Sequence, residues 1–444
     1  MESKKTKVLL VPDWLSWITG TEAKAIKAYN PQLDCDIVPS AALRHAIACG
    51  WKPEREFDLA HLLTTEVAQE FGSRFLGVVP TVTSLHHIHD EQEVAIDTAG
   101  DAIMTVSSQW EKELVQRGIA REKFVRLANG VDCERFHPPS PAEKDRARAR
   151  SGLRAGEVAV GFAGKKGSDN FGRKGFDIYC EGLCRLHALG IPCVAVVLGS
   201  GWQNELERLL PPEIRRIHQA YVHDPALFYR ALDFYWVCSR IEGGPVPLLE
   251  AMASGVPCVC RDVGMVRDAI VKPDEGVVLE QGQPEDFARE TAALGKDPAR
   301  YAALSAGGRR AMVSRFRWAE TARSAPELYD RAIRGFAGRM GTGQPPATLH
   351  PAAAPKDSDL SAVLIMESVP AHLRRKGLCL DDLQMPRELF RVRNMWRASA
   401  LCLRLLLRYP DQAGAILSVM ATAWFGRLTM AIGRWRRRFR IAVS

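Results

Sequence analysis

The sequence has no run of about twenty wholly apolar residues, which argues against a polytopic membrane protein; Gln412 to Gly433 comes nearest, with Arg427 as its only charge. It has no C-x2-C pair among its eleven cysteines. That odd number, with Cys258 and Cys260 inside an apolar run that reads as buried strand, argues against a disulfide scaffold and for a reducing compartment. A secretory signal is also missing, because the charged start Met1 to Lys7 is followed only by the short run Val8 to Val11; the chain is expected to stay in the cytoplasm. Net positive charge is absent from most of the length. The net charge is +8, yet residues 371–444 hold fourteen Arg and one Lys against four acids, a net +11 that leaves −3 for everything before them. The first 370 residues therefore carry no basic footprint for nucleic acid, and no nucleic-acid partner is expected.

What is present fits a soluble α/β protein. A hydrophobic fraction of 46% and a charged fraction of 25% are ordinary for a globular chain, and 444 residues call for two or three domains. Short apolar strands alternate with helical patterns in the first part: KVLLVP from Lys7, a helix from Thr21, RFLGVVPTVTSL from Arg74, AIMTVS from Ala102 and KFVRLA from Lys123. This rhythm predicts a parallel sheet with crossover helices. After the Pro-rich, charged segment His137 to Gly156 it restarts with VAVGFAG, CVAVVLGSG, FYWVCS and VPCVC, which predicts a second doubly wound domain. The expected division is 1–150, 151–316, a helix over 317–335 crossing back to the first domain, a linker over 336–362 rich in Gly, Pro and Ala, and an Arg-rich helical tail over 363–444.

The segment SRIEGGPVPLLEAMASGVPCV, Ser239 to Val259, carries the strongest chemical signal. Gly243 and Gly244 allow close approach of backbone to a ligand, Pro245 and Pro247 suit a loop and first helical turn beginning near Val246, and Gly255 with Pro257 stops the helix. A short helix would thus aim its amino terminus at a phosphate, with Glu242 and Glu250 offering carboxylates to sugar or ribose hydroxyls. The plainer reading is an exposed helix with solvated glutamates.

These residues resemble the E-x7-E motif of the family 4 retaining glycosyltransferases, and the likeness covers about Val8 to Ile333. The resemblance implies the GT-B fold, two facing Rossmann-like domains with an interdomain cleft, with Glu242 on the donor sugar and Glu250 on the nucleotide ribose. Where many members read Glu-Gly-Phe-Gly, this chain has Glu242-Gly243-Gly244-Pro245.

Two further stretches fit. In GFAGKKGSDNFGRKGFD, Gly161 to Asp177, the cations Lys165, Lys166, Arg173 and Lys174 gather on a Gly-rich turn. Fixed cations beside a departing nucleoside diphosphate lower the barrier to glycosyl transfer, because the charge on that leaving group grows as the bond breaks. By resemblance Lys174, before Gly175, and one of Lys165 or Lys166 hold the diphosphate; taken alone the stretch is equally a solvated basic loop. In PTVTSLHHIHDE, Pro80 to Glu91, His86 matches the family's active-site histidine and would contact the sugar or the acceptor. A metal site from His86, His87, His89 and Asp90 lacks a second ligand cluster, and no metal or other cofactor is expected. Gly20, in SWITGTEAKAI, resembles the family's first-domain glycine loop, and Asn129-Gly130-Val131-Asp132 its segment before the interdomain linker. Trp14 and Trp17 read as core packing, with a sugar or membrane contact as the other use.

In the tail Arg393, Arg397, Arg404 and Arg408, then Arg427, Arg434 and Arg438, form helical stripes on otherwise apolar stretches with Trp396, Trp424 and Trp435 nearby. That pattern fits a helix hairpin over 387–444 on an anionic membrane surface, and packing on another part of the protein or on a partner accounts for it nearly as well. The combined expectation is a retaining enzyme that moves a sugar from a nucleoside-diphosphate sugar to a glycan or lipid-linked acceptor in surface polysaccharide or glycolipid synthesis. The alternatives are a non-catalytic nucleotide-sugar-binding subunit that recruits a partner through its tail, and a hydrolase using Glu242 and Glu250 as paired carboxylates.

Overall fold

The computed structural model describes residues 5–88, 91–166, 170–220 and 224–342. Its strands form two six-stranded sheets. The first has the order β2-β1-β3-β4-β5-β6, from Thr6–Val11 (β1), Leu33–Ile37 (β2), Leu59–Leu62 (β3), Thr81–Leu85 (β4), Ala102–Thr105 (β5) and Phe124–Arg126 (β6). The second has the order β12-β11-β10-β7-β8-β9, from Val158–Ala163 (β7), Cys193–Leu198 (β8), Arg215–Gln219 (β9), Phe234–Val237 (β10), Cys258–Arg261 (β11) and Val277–Leu279 (β12). The strand pairs with assigned register are parallel, with helices between successive strands, as the apolar runs predict. Among the described residues no helix is long and apolar enough to cross a membrane. The Arg-striped tail, His89 and Asp90 lie outside the described residues.

Two compact units are distinguished. One holds residues up to 24 together with 32–79. Its centre is β1, whose Val8, Leu9, Leu10 and Val11 are wholly buried because a strand between two parallel neighbours is covered on both faces. Of the apolar run from Arg74 expected to be strand, only Thr81–Leu85 is. Thr64 accepts a hydrogen bond from Val67 N through its hydroxyl at 3.2 Å and starts a helix, Thr65–Phe75, that buries Val67, Ala68, Phe71 and Phe75, so only the part after Pro80 is strand. The helix expected from Thr21 begins earlier, at Ile18.

The other unit holds residues 25–31 and 80 onward. In β4 the buried Thr81, Thr83 and Ser84 all find partners: Asp101 Oδ2 accepts from Thr81 N at 3.0 Å, the Asp97 carbonyl from the Thr83 hydroxyl at 2.5 Å, and Met104 Sδ from the Ser84 hydroxyl at 3.8 Å. Around β7, β8 and β10 an aromatic cluster forms from Phe162, Phe176, Tyr179, Trp202 and Trp236, with Phe176 stacked on Trp202 at 4.2 Å. The Trp236 N–H reaches Thr291 Oγ1 at 3.0 Å, so this large side chain is buried without a lost hydrogen bond. The Pro-rich segment after His137 contains a helix, Pro141–Ser151. Its start is a capping box between Ser140 and Glu143, and Gly152 ends it at φ 77°. The final described helix, Ala325–Thr342, runs past the predicted linker start at 336. It lies on β4 and β5, where Arg331 donates to the Phe124 carbonyl at 2.8 Å and Arg339 pairs with Asp101.

Candidate active site

In this second unit the carboxyl ends of β7 and β10 bring two loops together. After β10 the chain runs through Cys238–Pro245 into the helix Val246–Ala253, which Pro245 opens at φ −67° and Gly255 (φ 71°) ends. After β7 it runs through Gly164 to the short helix Asn170–Arg173, then Lys174 and Gly175, before the helix Phe176–Ala188. Gly175 has φ 62°, and a Cβ there would sit 2.0 Å from the Cys238 carbonyl oxygen, so only glycine lets the two loops touch.

That contact sets Lys174 against Glu242. Lys174 Nζ donates to Glu242 Oε1 at 2.5 Å, and the Ser239 hydroxyl donates to the same oxygen at 2.8 Å. Glu242 is buried, and among the described residues its Oε2 accepts no hydrogen bond. Its carbonyl accepts from the Trp110 indole N–H at 2.7 Å. Trp110 lies on the helix Ser108–Gln116, in a cluster with Leu85, Ile103, Leu114 and Phe124 into which Ile241 also packs.

Gly243 and Gly244 also pack closely against the protein's own chain. A Cβ on Gly243 would lie 1.9 Å from the His86 carbonyl oxygen at the end of β4, and one on Gly244 would lie 2.2 Å from Asn129 Nδ2. The close approach is therefore to the protein's own chain. Asn129 Nδ2 donates to the Gly244 carbonyl at 3.1 Å, while its buried Oδ1 has no hydrogen-bond partner among the described residues. Met265 N donates to the Gly243 carbonyl at 2.9 Å, next to Gly264 (φ 57°), whose N–H is accepted by Gln109 Oε1.

Glu250 is half-buried on the second turn of the Val246–Ala253 helix. The Tyr229 hydroxyl donates to its Oε2 at 2.6 Å. Burial pushes the Glu250 carboxyl up to about 7 against the opposing pull of that hydrogen bond and of the Arg135 charge. Val246 is the first residue of the same helix.

The remaining predicted residues divide. Lys165 follows Gly164 at the end of β7. Lys166 turns to Glu205, with Nζ 2.7 Å from its carboxylate, so the expected convergence of all four cations is not what the fold builds. The Arg173 carbonyl accepts from Arg240 N at 2.7 Å. Gly20 belongs to the other unit and is the third residue of the helix Ile18–Tyr29, not a loop residue before it. A Cβ there would meet the carbonyl oxygens of Trp14 and Leu15 at 2.5 Å. Trp17, read as core, is 53% exposed. Trp110, Ser239, Tyr229 and Arg240 were not singled out. Trp110 stands 132 positions from the carbonyl it serves and shows only as one aromatic on an amphipathic helix.

Comparisons with known proteins agree with this architecture. Residues 171–311 match the profile of the family described as Glycosyl transferases group 1. The chain is 31% identical over 260 residues to D-inositol 3-phosphate glycosyltransferase 1 of Catenulispora acidiphila, covering 56% of this chain and 61% of that protein. It is 28% identical over 230 residues to the lipopolysaccharide core biosynthesis mannosyltransferase LpsB of Rhizobium meliloti, covering 47% and 61%. The chain thus spans about three-fifths of the length of these relatives. Among solved structures, HepE of Anabaena in complex with UDP and glucose superposes with a TM-score of 0.58 at 16% identity, over 73% of this chain and 99% of that one.

Proposed function

We propose that the chain is a group 1 glycosyltransferase with the two parallel sheets of the GT-B fold, and that it transfers a sugar from a nucleoside-diphosphate sugar to a glycan or lipid-linked acceptor, with retention at the anomeric carbon. The observation that carries this reading is the Lys174–Glu242 pair where the loops after β7 and β10 meet. Parallel α/β sheets bind ligands at the carboxyl ends of their strands, and here a fixed cation and a buried carboxylate stand side by side. Lys174 would meet the charge that grows on the leaving diphosphate, together with Lys165 or Arg173. Glu242 has a carboxylate oxygen left to accept from a donor-sugar hydroxyl. Glu250 would accept from the ribose hydroxyls, and His86 would meet the sugar or the acceptor. Most of the rate would come from positioning and charge stabilisation; no metal or other cofactor is invoked.

The names of the relatives, an inositol-phosphate glycosyltransferase and a lipopolysaccharide mannosyltransferase, support phosphorylated or lipid-linked acceptors. We place the reaction on the cytoplasmic side, with residues 387–444 at an anionic membrane surface. Equal flotation on anionic vesicles of the full chain and a chain ending at Thr342 would remove that last part.

The test begins with a thermal-shift panel of uridine, guanosine, adenosine and cytidine nucleotide sugars, because binding to the folded form raises apparent stability. Release of nucleotide from the matched donor is then followed with candidate acceptors. Glu242→Ala is expected to keep the fold and lose transfer by at least a hundredfold. Wild-type turnover in that variant would sink the assignment, and binding without turnover by the wild type would favour the non-catalytic alternative.

A further inference from the structure

Arg240 has no role in the reading above, yet it makes four hydrogen bonds from the β10 loop to the chain around Lys174. Its Nη1 donates to the Gly172 carbonyl at 2.7 Å and to Asp177 Oδ1 at 2.9 Å, and its Nη2 donates to Asp177 Oδ2 at 2.7 Å. Its backbone N–H adds a fourth bond, to the Arg173 carbonyl. Gly172 and Arg173 lie just before Lys174, and Asp177 lies in the first turn of the helix that follows it. On its own side, Arg240 is two residues from Glu242 and next to Ile241, which is packed into the Trp110 cluster. One guanidinium therefore spans the turn that carries Lys174 and ties both of its ends to the loop that carries Glu242.

We propose that Arg240, held by Asp177, is a positioning residue that fixes the Lys174 ammonium at the place of the distal phosphate of a nucleoside diphosphate. This rests on the reading of Lys174 and Glu242 given above. A fork of two parallel bonds fixes direction as well as distance, which a single-point cation such as lysine cannot do. Without the clamp the Gly172–Gly175 turn is joined to the β10 loop mainly through the Arg173 carbonyl, the Gly175 contact and the ion pair itself. The lysine would then be free to follow its own flexible stem, and the distal phosphate would lose a preset partner. Asp177 stays ionised for this role: burial raises its carboxyl, but the bonds and charge of Arg240 outweigh that and leave it below its ordinary value.

The distinguishing measurement is selectivity for the second phosphate. Affinities for the mono- and diphosphate of the nucleoside picked out by the thermal-shift panel are measured by calorimetry for wild type, Lys174→Ala, Arg240→Lys, Asp177→Asn and the Arg240→Lys/Asp177→Asn double variant. Both clamp residues are about two-fifths exposed, so these substitutions leave the core intact. Arg240→Lys and Asp177→Asn are each expected to weaken the diphosphate about three- to tenfold while the monophosphate stays within twofold, and the double variant is expected to be no worse than the weaker single one. Wild-type diphosphate affinity in the single variants, or equal loss for mono- and diphosphate, would overturn the proposal. The Lys174→Ala control separates the two levels. If it weakens the diphosphate while the clamp variants do not, only the role of Arg240 fails; if it binds both ligands as wild type does, the reading of the site fails with it.

Discussion

Replacing Tyr229 by Phe removes one hydroxyl and leaves the ring in place, packed edge-on against Phe136, Phe228 and Tyr235. That hydroxyl donates to Glu250 Oε2 at 2.6 Å, and Glu250 titrates at about 7 because burial lifts it. A hydrogen bond to an ionised carboxylate contributes about 1.5–3 kcal/mol and one to a neutral acid about 0.5–1.5, so the ionised form loses roughly 1 kcal/mol more than the neutral form. At 1.36 kcal/mol per unit, the midpoint should rise by about 0.7. Near pH 7 roughly half of the wild-type carboxyls are ionised, but only about one-sixth of those in the variant would be. If the ribose hydroxyls donate to the ionised form, affinity for the nucleoside diphosphate should fall about threefold in Tyr229→Phe at pH 7 and recover by pH 9. Calorimetry from pH 6 to 9 measures this, and the ligand's own ionisation cancels in the ratio of variant to wild type. A ratio that does not change with pH would refute the reasoning, since a packing defect costs the same at every pH while a shifted carboxyl does not.

Two stability predictions test other buried acids. Glu22 is wholly buried with neither oxygen hydrogen-bonded among the described residues, and burial raises it to about 8 from an ordinary 4.5. A raised folded value gives stability that is complete below the unfolded pKa and lost as pH climbs through the folded one, here up to about 5 kcal/mol between pH 4.5 and 8. Glu22→Gln should therefore be flatter with pH and more stable than wild type at pH 9 in urea unfolding; parallel curves would contradict it. Glu275 behaves in the opposite sense. Burial raises its carboxyl, but the two bonds from Arg315 and those from Val271 N and Lys272 N prevail and hold it at about 2. Its stabilisation is present above 4.5 and lost as pH falls through 2, so Glu275→Gln should cost up to about 3 kcal/mol at pH 7. The gap to wild type should narrow below pH 4.5, and a gap independent of pH would show that the ion pair is not its source.

How much of this was readable in the chain depends on where each partner lies in sequence. The strands KVLLV, VAVGFA, CVAVVL and FYWV announce themselves because strands covered on both faces are continuous apolar runs. Those missed are charged or short. β2, with Asp34 and Asp36, and β9, with Arg215, Arg216 and His218, are sheet edges that keep one side in water. β3 and β12 are only four and three residues long. At the site, Glu242, Glu250 and Lys174 stood out because glycines and prolines mark the loops that hold them. Lys166 looked equivalent to Lys165, since nothing local reveals that Glu205, on the helix Gln203–Leu209 after β8, takes it.

The loop Arg240–Gly244 shows why the remaining part was hidden, and why its glycines are strict. Each residue is fixed by a different neighbour: Arg240 by Asp177, Ile241 by the Trp110 cluster, Glu242 by Lys174 and Ser239, Gly243 by the His86 carbonyl and Gly244 by Asn129. Five consecutive residues therefore have no common direction, and no periodicity exists for a pattern reading to detect. The same arrangement gives the carboxylate its precision. A buried acid on a loop would ordinarily lose its geometry to backbone motion, but here the residues on both sides of Glu242 are held by packing, with Ile241 in the Trp110 cluster and Gly243 against the His86 carbonyl. The Gly243-Gly244 pair, which resembled a ligand cradle, is also where this loop meets the His86 carbonyl and the Asn129 side chain.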